Sequence, residues 1–102
     1  MVHKKVKNII WAKNAEIQYS EILEHLFEEA PQVVEKVGNL LLDTIEGLAL
    51  HYNNYPLDRF RKKNDGTFKA ALVFNYRISY QIGETTINIL RIRHTSREPL
   101  DF

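Results

Sequence analysis

The sequence contains no cysteine, and this absence excludes several kinds of chemistry. Without thiols the chain cannot form disulfides, bind a metal through thiolates or use a cysteine nucleophile. His3, His25 and His51 are scattered without the spacing of metal ligands, so no metal site is expected. A chain without cysteine also fits a reducing compartment, and we expect it in the cytoplasm.

The sequence also lacks long hydrophobic runs and glycine-rich loops. The lysines near the N-terminus precede only four apolar residues, Ile9–Ala12, which are too few for the core of a signal peptide. No apolar run approaches the ~20 residues that a membrane-spanning helix needs. The Asn-Asp-Gly at 64–66 is turn chemistry rather than a phosphate-binding loop. We therefore expect neither membrane association nor a bound cofactor.

Charge is unevenly distributed along the chain, although the net charge is only +1. Residues 1–57 carry five lysines, no arginine and eight acidic residues, whereas residues 58–102 hold all six arginines. Arginine presents a planar fork of donors that matches phosphate and carboxylate groups, which lysine does not. This segregation indicates an anionic partner on one surface. The alternative is a set of unrelated, solvated arginines.

The first half of the chain predicts a strand and a helix. Residues 4–12 have the composition of a short strand with Trp11 as an anchor, and Asn14 is the expected N-cap of the helix. Apolar residues at helical spacing then form one stripe that is expected to face the core: Ala15, Tyr19, Ile22, Leu23, Leu26, Phe27 and Ala30.

A second helix follows at Pro31, a residue that ends one helix and suits the first position of the next. This helix is expected to run to about Tyr52. Because almost no connector separates the two helices, they must form an antiparallel hairpin. Gly38 and Gly47 lower helix propensity, and we expect both to allow close packing against the neighbouring helix.

The second half predicts three strands, over 67–74, 77–82 and 86–94, in which apolar and polar residues alternate. The residues 53–66 form a long, basic connector before them, and long loops often carry function. The fold class is therefore α+β, in a single domain of residues 1–102. It has an N-terminal strand, the helical hairpin and a three-stranded antiparallel meander, with the helices packed on one face of the sheet.

The alternation also predicts which side chains share a face. If both apolar rows face the core, the loop between the first two meander strands has an odd number of residues. A three-residue loop, 74–76, then places Lys69 and Arg77 together on the helix-free face. In the last strand, Arg93 and His94 are expected on opposite faces.

The cations of the second half are expected to gather on one surface made of the loop, the exposed face of the sheet and the tail. They are Arg59, Arg61, Lys62, Lys63, Lys69, Arg77, Arg91, Arg93, His94 and Arg97. Such a surface suits a phosphate backbone. His94 is the candidate general acid or base, and Arg77 is the candidate for stabilising charge on a phosphorane-like transition state. The alternative makes His94 a strand-end histidine and pairs the last arginines with Glu98 or Asp101.

Three segments, in order, share a pattern with a known family: IIWAKNAEIQY at 9–19, GTFKAALVFNYRISYQI at 66–82 and INILRIRHTSREPL at 87–100. Together they resemble the RelE/ParE toxin superfamily of bacterial type II toxin–antitoxin systems. The segment IIWAKNAEIQY at 9–19 is similar to the first strand and helix opening of that superfamily. GTFKAALVFNYRISYQI at 66–82 resembles its basic strand and the strand that follows. INILRIRHTSREPL at 87–100 resembles its closing strand and terminal Arg-His motif.

The resemblance implies a small toxin that is neutralised by a cognate antitoxin, whose C-terminal segment wraps the toxin. RelE-like members cut mRNA on the ribosome, whereas ParE-like members poison DNA gyrase without a catalytic centre. We favour a RelE-like, metal-independent endoribonuclease with the ribosome and mRNA as partners. A ParE-like gyrase inhibitor and a superfamily member without toxicity are the alternatives.

By the same resemblance, three residues are the expected catalytic core: Lys69 on the basic strand, Arg77 as the strand arginine and His94 as the terminal histidine. The expected RNA-binding residues are Arg59, Arg61, Lys62, Lys63, Arg91, Arg93 and Arg97. No catalytic glutamate is recognisable, and Asp58 is the nearest carboxylate in the loop.

Overall fold

The computed structural model describes residues 6–97 and confirms the predicted α+β architecture. Strand β1 spans Asn8–Trp11, helix α1 spans Lys13–Glu29 and, after a 3-10 turn at Pro31–Val33, helix α2 spans Val34–His51. Strands β2, β3 and β4 span Phe68–Val73, Tyr76–Ile82 and Thr86–His94, and a 3-10 turn at Thr95–Arg97 follows. No helix within 6–97 is both long enough and apolar enough to cross a membrane.

The four strands form one sheet in the order β1-β4-β3-β2. The meander pairs are antiparallel, but β1 runs parallel to β4, with Asn8 opposite Thr86 and Trp11 opposite Ile89. Lys7 fastens the start of β1, since its ammonium donates to the carbonyls of Gly83 and Glu84 at 2.7 and 2.8 Å. The connection between these two parallel strands consists of the helical hairpin together with β2 and β3.

Helix α1 begins without the predicted cap. Asn14 lies inside the helix, and Ala12 holds the N-cap position without a side-chain hydrogen bond. The Ala12 N–H instead donates to the Ile89 carbonyl at 2.8 Å, as the last bond beside the β1–β4 ladder. The Asn14 prediction is therefore wrong, because the sheet rather than a capping side chain fixes where the helix starts.

The core lies between the helices and one face of the sheet. Its buried residues are Ala15, Val37, Leu41, Ile45, Leu48, Ala71, Val73, Tyr76, Ile78, Tyr80, Ile87, Ile89 and Ile92. The predicted stripe of α1 supplies Ala15 and, partly buried, Tyr19, Ile22 and Leu26. Phe27, which we expected in that stripe, is 69% exposed because it lies at the edge of the helical face.

The two helical glycines behave differently. A Cβ on Gly38 would lie 3.0 Å from Leu23 Cδ2 and 3.3 Å from the Tyr19 hydroxyl, which itself donates to the Gly38 carbonyl. This confirms close packing between α1 and α2 at Gly38. At Gly47 the nearest atom, His51 Cδ2, is 3.9 Å away, so the expectation of close helix packing there is wrong.

Substituting alanine at both glycines should separate these cases. Gly47→Ala is expected to raise the free energy of unfolding by about 0.5–1 kcal/mol, since alanine is the better helix former and meets no neighbour. Gly38→Ala has the same helical gain but crowds Leu23, and overpacking costs about 1–3 kcal/mol. Urea denaturation of both variants measures the difference, and equal stabilisation would contradict the packing at Gly38.

The register between β2 and β3 differs from the predicted one. The connecting turn has two residues, 74–75, so that Val73 pairs with Tyr76, Leu72 with Arg77 and Lys69 with Tyr80. The expected three-residue loop is wrong because both faces of β2 are apolar and the alternation could not decide which row faces the core. A bulge in β4 near Leu90 then keeps Ile89 and Ile92 on the core face.

Candidate functional site

Three arginines meet on the face of the sheet that points away from α1 and α2, here called the open face. Arg77 pairs directly with Arg93 across β3 and β4, and Arg91 pairs with Ser79. Side chains at alternate positions share a face, so all three arginines belong to the open face. Like charges directly opposite one another are unfavourable in a sheet, which makes this arrangement suited to an anionic partner.

The long connector folds over part of the open face through Phe60. The Phe60 ring lies 4.7 Å from the Arg59 guanidinium carbon and 4.8 Å from that of Arg77, and Arg61 lies 3.9 Å from the Phe68 ring. Guanidinium groups over aromatic faces are held by the ring quadrupole and by stacking. Arg77 is consequently only 9% exposed, although it belongs to the open face.

Asp58 organises this connector. The residue is 3% exposed, its carboxylate accepts the Phe60 N–H at 3.0 Å, and its own N–H donates to the Phe68 carbonyl at 2.9 Å. Asn64 adds a bond from its amide to the same carbonyl at 2.8 Å. Asp58 therefore has a structural role, because its hydrogen bonds fix the segment of the connector that carries Phe60.

Lys69 lies on the other side of the sheet from Arg77. It pairs with Tyr80, whose side chain is in the core, and its ammonium donates to the Tyr55 carbonyl at 2.9 Å. The prediction that Lys69 and Arg77 share the helix-free face is wrong, for the reason of register given above. The hydrogen bond to Tyr55 ties the beginning of the connector to β2.

His94 also lies on the helix side, at the end of β4. Its ring meets the Tyr76 ring edge-on, with centroids 5.3 Å apart and planes at 88°. The Ser96 N–H donates to Nδ1 of His94 at 3.1 Å, and the Ser96 hydroxyl lies 2.8 Å from the same nitrogen. Burial raises the pKa of Tyr76, which disfavours a phenolate base beside it.

The three residues predicted as a catalytic core are therefore not brought together. Arg77 is on the open face, while Lys69 and His94 are on the helix side. Their β3 partners, Tyr80 and Tyr76, are four residues apart, which is about 13 Å along a strand. The expectation that Arg93 and His94 lie on opposite faces agrees with their pairing.

A cavity of about 470 Å³ lies where α1 passes the edge of β4 that β1 leaves unpaired. Gln18 covers part of that edge, since its side-chain amide oxygen Oε1 accepts the Ile92 N–H at 2.9 Å. The lining is mixed and includes two imidazoles: Gln18, Glu21, Ile22, His25, Tyr76, Ile92, Arg93, His94 and Ser96. Within 6–97 no three histidine, aspartate or glutamate side chains could hold a metal ion.

The remaining predicted RNA-binding residues are spread more widely. Lys62 and Lys63 are exposed in the connector, where Lys63 has a positive φ of 53°. Arg97 is the last residue of the final 3-10 turn, and its side chain is outside the described part. Glu98 and Asp101, the alternative acidic partners, also lie outside the described residues.

The sequence reasoning missed the aromatic and apolar members of this surface. Phe60 contacts two arginines, Leu72 is 58% exposed opposite Arg77, and Phe74 is 53% exposed in the turn that follows β2. The signal available for Phe60 was its place between Arg59 and Arg61, since alternating arginine and aromatic residues favour stacking. No signal in the sequence marks Phe74, because the exposure of its side chain depends on the register of the turn.

Comparison with known proteins agrees with this architecture. The sequence model described as the ParE toxin of type II toxin–antitoxin system, parDE, matches residues 9–99. No curated protein matches the chain in sequence. The chain is similar in structure to a chromosomal ParDE toxin–antitoxin system from P. aeruginosa, with a TM-score of 0.70 and 15% identity over 88% of this chain and 97% of the other. It is also similar to the RelBE2 toxin–antitoxin complex from Mycobacterium tuberculosis, with a TM-score of 0.62 and 16% identity over 90% and 94%.

Proposed function

This chain belongs to the ParE toxin family of type II toxin–antitoxin systems, and on that premise we propose that it arrests growth by binding DNA gyrase rather than by cutting RNA. The main support is the placement of Lys69 and Arg77 on opposite faces of the sheet. General acid–base catalysis needs groups within hydrogen-bond reach of the same reacting atoms. An inhibitor that acts by binding needs only a complementary surface.

The open face supplies such a surface. Arginine and aromatic side chains are enriched among the residues that dominate protein–protein binding energy, and the open face combines Arg91 and Arg93 with Phe60 and Leu72. Its positive charge favours association with an acidic region of the target. The inhibitor is proposed to act in the cytoplasm, where gyrase works.

A protein antitoxin is the second proposed partner. The two similar structures are a ParDE toxin–antitoxin system and a RelBE2 toxin–antitoxin complex. Their likeness to this chain supports an antitoxin that binds the toxin domain and prevents its contact with gyrase. A small open reading frame beside the gene, whose product forms a complex with this chain, would be the expected finding.

Ribosome-dependent cleavage of mRNA is the second candidate function. It is favoured by one observation, the meeting of Arg77, Arg91 and Arg93 on the open face, because such a cluster also suits an RNA backbone. In that case His94 and Lys69 would have to act from the helix side of the sheet, whereas these three arginines belong to the opposite face.

His94→Ala is expected to leave growth arrest within about threefold of the unsubstituted toxin, since a binding mechanism uses no proton transfer there. Loss of a general acid or base from a nuclease typically costs about 10²–10⁴-fold. The test is induction without antitoxin, followed by growth, translation, mRNA ends and DNA breaks. His25→Ala, on the same cavity, is the matched control.

We expect the unsubstituted toxin, His94→Ala and His25→Ala all to cause DNA breaks and to leave mRNA intact. Loss of arrest confined to His94→Ala, together with new mRNA ends in the unsubstituted toxin, would contradict gyrase inhibition and favour the nuclease. Absence of any arrest would identify a family member without toxicity.

A further inference from the structure

The turn between β2 and β3 holds a bulky residue in an unfavourable backbone conformation. Phe74 has a φ of 53°, in the left-handed region that glycine and asparagine adopt most readily. Two-residue hairpin turns usually place glycine, asparagine or aspartate at such positions. Within 6–97 the only other non-glycine residue with positive φ is Lys63.

Burial of the Phe74 side chain does not offset the free-energy cost of this backbone conformation. The Phe74 side chain is 53% exposed, so more than half of its surface remains in water. One side of the residue borders a groove of about 320 Å³ between the turn and the helical hairpin, together with Leu26, Val33 and Val37. A strained residue that gains little from the core is a candidate for a functional contact.

The charges around Phe74 have one sign. Lys36 lines the groove, and no carboxylate among the described residues does. On the other side of the turn, Leu72 is 58% exposed and pairs with Arg77. The half-exposed ring is therefore surrounded by apolar and cationic side chains, which is the composition of an interface hot spot.

We propose that Phe74 is the anchor by which this toxin engages its target, with the ring inserted into an apolar socket that has an acidic rim. This inference rests on the proposed function and names gyrase as the occupant. A protruding ring at a turn needs a concave socket, which a folded domain offers and an extended segment does not. The Lys36 ammonium in the groove beside it favours acidic groups on the partner.

Phe74→Gly provides an unusually clear test, because the substitution should stabilise the toxin and disable it together. Glycine adopts the left-handed conformation readily, so Tm is expected to rise by about 4 °C. The toxin concentration that halves supercoiling by purified gyrase should increase at least about tenfold, as for loss of a hot-spot aromatic. Affinity for the antitoxin should stay within about threefold.

Three further variants complete the comparison. Phe74→Asn tolerates the same backbone and should behave like Phe74→Gly, whereas Phe74→Tyr keeps the ring and should retain inhibition. Phe27→Ala removes a phenylalanine that is 69% exposed on α1, and should leave inhibition unchanged.

The inference is overturned if Phe74→Gly inhibits gyrase as well as the unsubstituted toxin does. It is also overturned if antitoxin binding falls as much as inhibition, or if the substitution dissociates a dimer of the toxin, because the ring would then serve one of those contacts. If the unsubstituted toxin fails to inhibit gyrase at all, the proposed function fails first, and that outcome is distinct from a Phe74-specific result.

Discussion

Arg93→Glu is expected to weaken inhibition of gyrase by about 100-fold, because like charges forced together at an interface cost several kcal/mol. The fold should survive the substitution. Arg93 lies directly opposite Arg77, so a glutamate there creates an opposite-charge cross-strand pair in place of a like-charge pair. Arg93→Glu is therefore expected to be at least as stable as the unsubstituted toxin and to have almost no inhibitory activity against gyrase. Supercoiling assays over a range of toxin concentrations, with thermal unfolding alongside, measure both effects.

Lys13→Glu is the matched control for net charge. Lys13 is the exposed first residue of α1, away from the open face, and the substitution changes the net charge by the same amount. It should leave inhibition within about threefold, and an acidic residue in the first turn of a helix is favourable. If both reversals weaken inhibition equally, overall charge rather than the open face determines binding.

Ile89→Ala is expected to lower the free energy of unfolding by about 2–5 kcal/mol, the usual cost of emptying a core isoleucine site. Ile89 is fully buried in β4, between β1 and β3, where it pairs with both Trp11 and Tyr80. Strand β4 is paired on both sides, in parallel with β1 and antiparallel to β3. Tm should fall by at least about 10 °C in a domain of this size.

The control is an isoleucine of the same sheet that faces away from the core. Ile10 in β1 is 48% exposed, and Ile10→Ala should cost well under half as much as Ile89→Ala. Similar losses in the two variants, measured by urea denaturation, would contradict the assignment of the helix-covered face as the core.

The helices and the order of the elements could be predicted from the sequence because their signals are local. The stripe of α1, the proline at position 31 and the period-two strands each depend on neighbouring residues. The predictions that failed concern features that depend on contacts between residues far apart in the sequence. Asn14 had the chemistry of an N-cap, but the bond from Ala12 to Ile89 starts the helix one residue before it.

Register was the step at which the site prediction failed. β2 offers apolar residues on both faces, and only the two-residue turn at 74–75 decides that Ala71 and Val73 face the core. Shifting the register by one residue moves every side chain to the other face. For this reason Lys69 was predicted on the open face but lies on the helix side. The arginines of β4 were placed correctly relative to His94 because they depend on alternation within one strand.

The most direct measurement is supercoiling of relaxed DNA by purified gyrase in the presence of this toxin, with ribosome-bound mRNA as a parallel substrate. We predict that supercoiling is inhibited, that the cognate antitoxin relieves the inhibition and that the mRNA remains intact. Undiminished supercoiling together with cleavage of the ribosome-bound mRNA would contradict a toxin that acts by binding gyrase.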